Sequence, residues 1–483
     1  MPPRIDWWRV AIFGAAILVP FTVYLASLAP DLTWAHNGAD GGDLIVAAYT
    51  LGVPHPPGYP AYTLLAHLFT WIPLGGIAYR VNLLSAVSAA SAAGVVALIA
   101  RELNSRACAA DRFLGALVAA FGFAFTPLVW QQAVIAEVYA PLVLCVALVL
   151  LFSLRVGSPR GAFALGLVWG IALGIHLTAL FLVPLVVWSL WRAHRAIASP
   201  RLWLAFITGT LLASLQWFYP VWRAGRGAIT WGDPTTLQGW WWLVSGALYR
   251  DYLFAVPFDA WLGRIAFFLN ALLVGLGPIL CALAFVGWRQ IAREDRGKAI
   301  VWSATIFAYI VFAIGYNSAD SISLAIPAVM IFCVGIGAGV ALLFGALRAR
   351  FGNRAVAIGW IGLFVEVALM LMLNWRAISL ADDRAAILFG EQVLNQLPPA
   401  AIVVTQDDCA TFALWYFRYV LGQRPDAIVI DRDLMAFEWY QAQVGMTPAR
   451  LERLVNRQES GSPPVCWIVN CCDNARVECA ARK

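Results

Sequence analysis

The chain is 483 residues long, 61% hydrophobic and only 12% charged, about half the charged share of an ordinary soluble domain. No single water-soluble globule hides that much apolar surface, so lipid must cover a large part of it. The net charge of +6 is scattered in short clusters between apolar runs, which excludes a nucleic-acid-binding surface, and the 23 Trp suit rings that settle at the membrane–water boundary.

Taken in chain order, the apolar runs predict about eleven membrane spans, at residues 10–28, 81–100, 113–129, 137–154, 161–175, 177–191, 202–219, 264–287, 299–315, 321–345 and 355–374. The first run follows Arg4 and Arg9, is long for a signal peptide and ends in a poor cleavage site, so it reads as a retained helix. Residues 161–191 exceed one untilted span at ~1.5 Å per residue. Arg155 and Arg160 precede that run, while Arg192, Arg195 and Arg201 follow it. If both clusters share a side, the chain goes out and back, turning near His176. With that turn, Arg101, Arg106 and Arg112, then the 289–298 and 348–354 clusters, also fall on the side of the amino terminus. This positive-inside pattern places the amino terminus in the cytoplasm and the carboxy terminus outside.

The chain thus divides into a transmembrane module, 1–375, with outer loops 29–79 and 220–263, and a soluble extracytoplasmic α/β domain, 376–483. The fold class is an all-α polytopic membrane protein carrying that small domain. In the tail, 382–397 reads as a helix ended by Pro398-Pro399, 401–405 as a buried strand, 411–421 as a helix ended by Gly422, 427–430 as a second strand and 447–459 as a last helix. No nucleotide-binding glycine loop is present. Cys409, Cys466, Cys471, Cys472 and Cys479 lie here; an odd count leaves at least one unpaired, and spacing does not choose the pairs. No histidine in the tail supports a metal site.

The first outer loop is densest in chemistry-bearing residues. Asp40 and Asp43 precede a ten-residue apolar segment. They suit first an N-cap and first-turn carboxylate, and also a base at the membrane surface with flanking glycines that let a substrate approach the backbone. His55 lies between Pro54 and Pro56, which stiffen the chain as a positioned imidazole requires; a purely structural loop with an incidental histidine fits as well. His67 reads as a packing residue. Arg80 opens the second span at its outer end and needs a partner there, which a lipid phosphate supplies. Glu137, beside Tyr139, stands at the outer mouth of the fourth span and reads as paired, functional, or a helix-start carboxylate. His176 and Thr178 occupy the predicted outer turn. The second outer loop holds Trp231, Trp240, Trp241, Trp242, Tyr249, Arg250, Asp251, Tyr252 and Trp261. Interfacial anchoring accounts for most of these rings, and Arg250 either pairs with Asp251 or holds a phosphate. Topology alone brings Asp40, His55, Arg80, Glu137 and His176 to one face.

The blocks Asp40-Gly41-Gly42-Asp43, Ala48-Tyr-Thr-Leu-Gly-Val-Pro-His-Pro-Pro-Gly-Tyr-Pro60 and Ala78-Tyr-Arg80-Val-Asn-Leu-Leu-Ser85 resemble the opening of the transmembrane-protein-260-like family. Its eukaryotic members are protein O-mannosyltransferases placed in glycosyltransferase superfamily C. The similarity continues at Thr126-Pro127-Leu-Val-Trp130, Glu137-Val-Tyr139, Gly174-Ile-His176-Leu-Thr178 and Arg424-Pro425-Asp426. Two blocks depart from the family pattern. Asp40-Gly41-Gly42-Asp43 replaces Asp-Ser-Gly-Glu, and Gln406-Asp407-Asp408 stands where a Gly-Asp-Asn-Asp-like turn is expected.

The resemblance implies an inverting transfer of a monosaccharide from a polyprenyl-phosphate donor to a hydroxyl on a protein, lipid or glycan acceptor. It implies Asp40 as general base, with Asp43 and Glu137 as further catalytic candidates. Arg80 first, then Arg250 and protonated His55 or His176, would handle the donor phosphate. No metal is predicted from one or two carboxylates without ligand spacing. The expected location is a bacterial cytoplasmic (inner) membrane. The competing class is a transporter or flippase of lipid-linked sugars. Transporters tend to place ionisable groups near mid-membrane and to show repeats, whereas these candidates lie at one surface and no halves are evident.

Overall fold

The computed structural model describes residues 7–104, 107–197, 199–456, 462–469 and 475–480. Arg4, Arg106, Cys471 and Cys472 lie outside them. Among the described residues, seven helices are long and apolar enough to cross a membrane, or eight if one bent pair forms a span. The expected eleven is therefore corrected, for three physical reasons. Tyr139–Ser153 and Pro159–Leu173 are apolar but only 15 residues each, or about 22 Å at 1.5 Å per residue, short of a hydrocarbon core of about 30 Å. The 113–129 run is split between Ala109–Ala124 and Pro127–Ala133, bent by 69°, where Pro127 opens a new helix. Residues 321–345 and 355–374 lie in Ser321–Ile378, where Ile326–Ile378 is two helices joined without a loop across a kink at Gly352, so that they count together as one long apolar segment. Near His176 the chain does break: Pro159–Leu173 gives way to a 3-10 turn, Leu177–Leu182, and then to Val183–Ile197.

The alanine-rich Ile77–Leu103 helix lies at the centre of the bundle, packed against the first helix, Trp7–Ser27, and against Tyr139–Ser153 and Ala109–Ala124. In lipid, helices associate by close packing of small residues, since burial from water offers no drive there. The contact between Trp261–Glu294 and Ile326–Ile378 shows this. A Cβ on Gly287 would meet the Gly335 carbonyl oxygen at 1.8 Å, so only glycine permits the approach.

The first outer loop is folded rather than open. It contains a 3-10 turn, Ala35–Asp40, and two helices, Gly41–Thr50 and Pro60–Thr70. The tail is a four-stranded sheet in the order β2-β1-β3-β4, from β1 (Ile402–Thr405), β2 (Ile428–Asp431), β3 (Val465–Val469) and β4 (Arg476–Cys479). β1 runs parallel to β2 and β3, and β3 pairs antiparallel with β4, where Cys466 and Cys479 are disulfide-bonded. The sequence reading finds β1, β2 and the helices Ala385–Gln396, Asp408–Tyr419 and Pro448–Asn456, and misses β3 and β4.

The tail is fastened to the first outer loop. Tyr416 Oη donates to Asp31 Oδ1 at 2.6 Å, Thr33 bonds to Asp383, and the Trp34 and Phe389 rings meet edge to face at 5.0 Å. Gly42 is the tightest point: a Cβ there would lie 2.5 Å from the Phe412 carbonyl oxygen. Glycine at 42 thus lets the Asp408–Tyr419 helix rest directly on Gly41–Thr50.

Candidate active site at the junction of bundle and tail

The site grows from the proline-rich stretch after Gly41–Thr50. Leu51 takes a left-handed conformation and ends the helix. Val53 N then donates to Ile229 O (2.9 Å), and Trp231 N donates to Val53 O (3.1 Å). This two-bond bridge ties the first outer loop to the second, and prolines at 54, 56 and 57 restrict what lies between. His55 is therefore fixed and buried, 3% exposed.

Asp43 is fully buried. Its Oδ2 accepts the His55 backbone N–H (2.9 Å) and meets the ring Nδ1 at 2.8 Å, while Oδ1 accepts the Trp231 indole N–H at 3.1 Å. Three donors around one carboxylate satisfy a buried charge. With Nδ1 held by Asp43, His55 Nε2 points to Asp40 Oδ2, 3.6 Å away. Asp40 occupies the cap position of Gly41–Thr50, but its side chain makes no capping bond. The capping role expected for it is absent, and the carboxylate faces a recess.

The electrostatics follow from this chain of three groups. Burial alone would lower the His55 imidazole, but Asp40 and then Asp43 outweigh it and push it up to about 9, so the ring is protonated at neutral pH. Burial raises the Asp40 carboxyl, opposed by His55 and reinforced by Asp320 and Asp43. The Asp40 side chain is 41% exposed, yet the protein packed around it is dense enough that desolvation still prevails.

Aromatic rings wall the recess. Tyr59 and Tyr249 meet His55 edge to face at 5.0 and 6.2 Å. Tyr59 also stacks on His176, which approaches Tyr139. Tyr139 Oη donates to Asp320, whose other oxygen accepts Ser318 Oγ at 2.6 Å. Glu137 is buried, with Oε2 accepting the Val138 N–H at 3.0 Å, and lies within electrostatic reach of Asp40, Asp320 and His55.

Two expected phosphate-binding groups have partners within the chain. His176 Nδ1 accepts the Thr178 backbone N–H (3.2 Å), and burial pushes the ring down to about 4. It is neutral at pH 7, not the cation anticipated. Arg80 turns back on its own loop, donating to Thr70 O (2.7 Å), Leu74 O and Gly75 O; no described contact joins it to Asp40 or His55. Arg250 is exposed at the rim, bonded to Ser245 Oγ (2.8 Å), one residue from Tyr249.

Sequence reasoning misses Arg264. Its Nη1 donates to Tyr316 O (2.7 Å) and lies 3.4 Å from Ser321 Oγ, next in the chain to Asp320. It stands in the first turn of Trp261–Glu294, above the exposed Ile265, Phe267 and Leu269. The available signal was the one that drew attention to Arg80, an arginine opening a span. Asp320 and Asp408 are missed too. Among the described residues, no group of three or more His, Cys, Asp or Glu side chains is arranged to hold a metal ion. A cavity of about 770 Å³ between the second outer loop and the tail is lined by Thr236, Trp242, Phe437, Glu438, Trp439 and Gln443. Trp231, packed on Trp439 at 5.7 Å, separates it from Asp43.

A helical membrane bundle under a small β-containing domain is a fold shared with solved membrane proteins. ArnT from Cupriavidus metallidurans, bound to undecaprenyl phosphate, superposes with a TM-score of 0.58 at 15% identity, covering 96% of this chain and 93% of that one. The Archaeoglobus fulgidus oligosaccharyltransferase tethered to an acceptor peptide gives 0.53 at 12% identity, over 96% and 69%. At these identities the likeness is one of fold.

Sequence narrows the class to a family. Residues 40–198 match the Protein O-mannosyl-transferase TMEM260 N-terminal domain, and 386–449 match TMEM260-associated domain 2. The chain is 30% identical to the mouse Protein O-mannosyl-transferase TMEM260, over 89% of this chain and 63% of that protein. It is 22% identical to the Dictyostelium discoideum tmem260 protein, over 84% and 55%. In sequence the chain is similar to the TMEM260-like family, and it spans a little over half the length of these relatives. Both are eukaryotic, which corrects the expected bacterial cytoplasmic membrane; the integral membrane character stands.

Proposed function

We propose that this chain transfers a monosaccharide from a polyprenyl-phosphate donor to a hydroxyl acceptor with inversion, and that the sugar is mannose and the acceptor a protein hydroxyl. The observation that carries the reading is the Asp43–His55–Asp40 chain. A buried carboxylate fixes a protonated imidazole, and the imidazolium in turn keeps an open carboxylate charged and aimed. Asp40 takes the proton of the acceptor hydroxyl as its oxygen attacks the anomeric carbon. The bond from that carbon to the phosphate oxygen breaks, and its electron pair leaves with the polyprenyl phosphate. The leaving group needs cations more than a general acid. Arg264 at the lipid-facing edge and Arg250 at the rim serve it, in place of Arg80. The names of the TMEM260 relatives, and the lipid phosphate bound to ArnT of the same fold, support the donor and acceptor classes. The 1–375 module carries the chemistry, and the 376–483 domain closes over it.

Asp40→Asn tests this. Asn preserves the shape but accepts no proton, so transfer from polyprenyl-phosphate mannose should fall roughly 10²–10⁴-fold while donor binding on the same sample holds. Near-normal turnover would remove Asp40 from the mechanism.

A further inference from the structure

We propose that the tail domain supplies part of the acceptor site: Asp408, docked opposite Asp40, holds a backbone N–H of the acceptor polypeptide while Asp40 takes the hydroxyl proton. The inference rests on the transfer reading above and adds the subsite and its residue.

Asp408 begins the Asp408–Tyr419 helix, and an acidic residue in a first turn is ordinarily there for the helix. Here that task is already done. Asp407 is the cap, its Oδ1 accepting the Ala410 N–H at 2.8 Å. Asp408 makes no hydrogen bond or ion pair with another described residue. Its direction is set by the docking. One turn on, on the same face, the Phe412 carbonyl rests on Gly42, and the Phe412 ring lies 6.2 Å from Trp231, the indole that holds Asp43. Asp408 therefore sits one turn further along the face that covers Asp40 and Asp43.

The groups within electrostatic reach of Asp408 are Asp40 from the first outer loop, Asp43 from Gly41–Thr50, His55 from the proline stretch, Tyr249 from the second outer loop and Asp431 from β2. Burial, then Asp40, push its carboxyl up to about 7. The residue is nonetheless solvent-exposed, as befits a carboxylate on the wall of a cleft open to water. Helix position alone would favour the charged form and lower it.

The chemistry of this side differs from the donor's. Arg264 and the exposed apolar residues near it form the lipid edge, where a phosphate belongs. A free carboxylate repels phosphate and recognises N–H and O–H donors. A serine or threonine residue presents one hydroxyl and, a few ångströms away, backbone N–H groups; two carboxylates across one recess match that pair of donors.

The experiment measures binding separately from turnover. A fluorescent Ser/Thr-rich peptide and polyprenyl-phosphate mannose are each titrated onto the full chain in nanodiscs, as wild type, Asp408→Asn and Asp408→Glu. One charge-assisted hydrogen bond predicts a 10–100-fold weaker peptide Kd for Asp408→Asn, partial recovery with Glu, and donor Kd within twofold throughout. Wild-type peptide affinity should fall as pH drops below about 7, and that dependence should flatten in Asp408→Asn. Equal peptide affinity in wild type and Asp408→Asn, no peptide binding by wild type, or a loss confined to the donor would each overturn the proposal. If the peptide result holds but no sugar is transferred, the transfer reading fails and the subsite stands. Equal melting temperatures of the three proteins separate the effect from misfolding.

Discussion

Asp43 and Asp40 are three residues apart and do opposite things. Asp43 is sealed beneath Trp231 and His55, whereas Asp40 faces the recess. The sequence reading leaves Asp43 between a first-turn carboxylate and a catalytic group; the geometry makes it the buried partner of His55. Asp43→Asn leaves an imidazolium with one carboxylate instead of two, and breaking a buried pair typically costs about 3–5 kcal/mol. Activity should follow a bell in pH. Its acid limb reflects protonation of Asp40, at a pH above the ordinary carboxylate range because burial raises that group. Its alkaline limb falls near pH 9, where His55 loses its proton and Asp40 loses its cation. Since Asp43 helps hold the His55 proton, Asp43→Asn should move the alkaline limb to lower pH. A pH profile of kcat/KM checks this, and an unmoved limb would separate His55 from the mechanism. What the sequence showed at this scale was the presence of Asp40, Asp43 and His55 in one stiff loop. What it could not show was which carboxylate is buried, because that depends on Trp231, a residue 188 positions away.

Between elements, two arginines illustrate the same limit. Arg80 and Arg264 each open an apolar helix at its tail-side end, and composition does not distinguish them. The fold does: the chain turns at Leu74 and Gly75 so that its carbonyls surround Arg80, while Arg264 reaches across to Tyr316 and Ser321. Arg264→Gln is expected to weaken binding of polyprenyl-phosphate mannose about 10-fold with little change in melting temperature. Arg80→Gln should lower the melting temperature and leave donor affinity within twofold; both are read from donor titration and thermal unfolding. Gly42 makes a sharper case. Gly41 and Gly42 suggested room for a substrate, but at Gly42 the space is filled by the Phe412 carbonyl. Gly42→Ala must push the Asp408–Tyr419 helix away, at a cost of about 1–3 kcal/mol for overpacking. Gly14→Ala, in the first helix where a Cβ meets nothing within 4 Å, is the control and should not destabilise. Equal thermal stability of the two variants would mean the tail is not seated on Gly41–Thr50.

At the scale of the whole molecule, the class was legible because hydropathy and length are additive along the chain. The number of spans was not, because short helices, a 69° bend and a loopless kink at Gly352 depend on how neighbours bury each segment. The assembled shape bears on the proposed donor. The reacting groups lie between a bundle whose helices expose apolar side chains and a tail bonded to the first outer loop at Asp31, Thr33 and Trp34. Under the proposed transfer, a donor carried in the bilayer would reach Arg264 sideways, along the exposed face of Trp261–Glu294, with its sugar turned toward Asp40 and its polyprenyl chain left in lipid. Each methylene kept in an apolar phase is worth about 0.8 kcal/mol, so a membrane-anchored donor is strongly concentrated at this edge, whereas a soluble nucleotide sugar gains nothing from it. Nucleotide recognition also calls for a phosphate cradle of backbone N–H groups. Here carboxylates Asp40, Glu137 and Asp320 approach the recess instead, and would repel a diphosphate lacking its own cations. Purified chain in nanodiscs is therefore expected to transfer from polyprenyl-phosphate mannose and to leave a nucleotide-linked mannose untouched, with the anomeric configuration of the product opposite to that of the donor. Robust transfer from the nucleotide sugar with no lipid phosphate present would contradict the sideways route, and retention of configuration would contradict direct displacement assisted by Asp40.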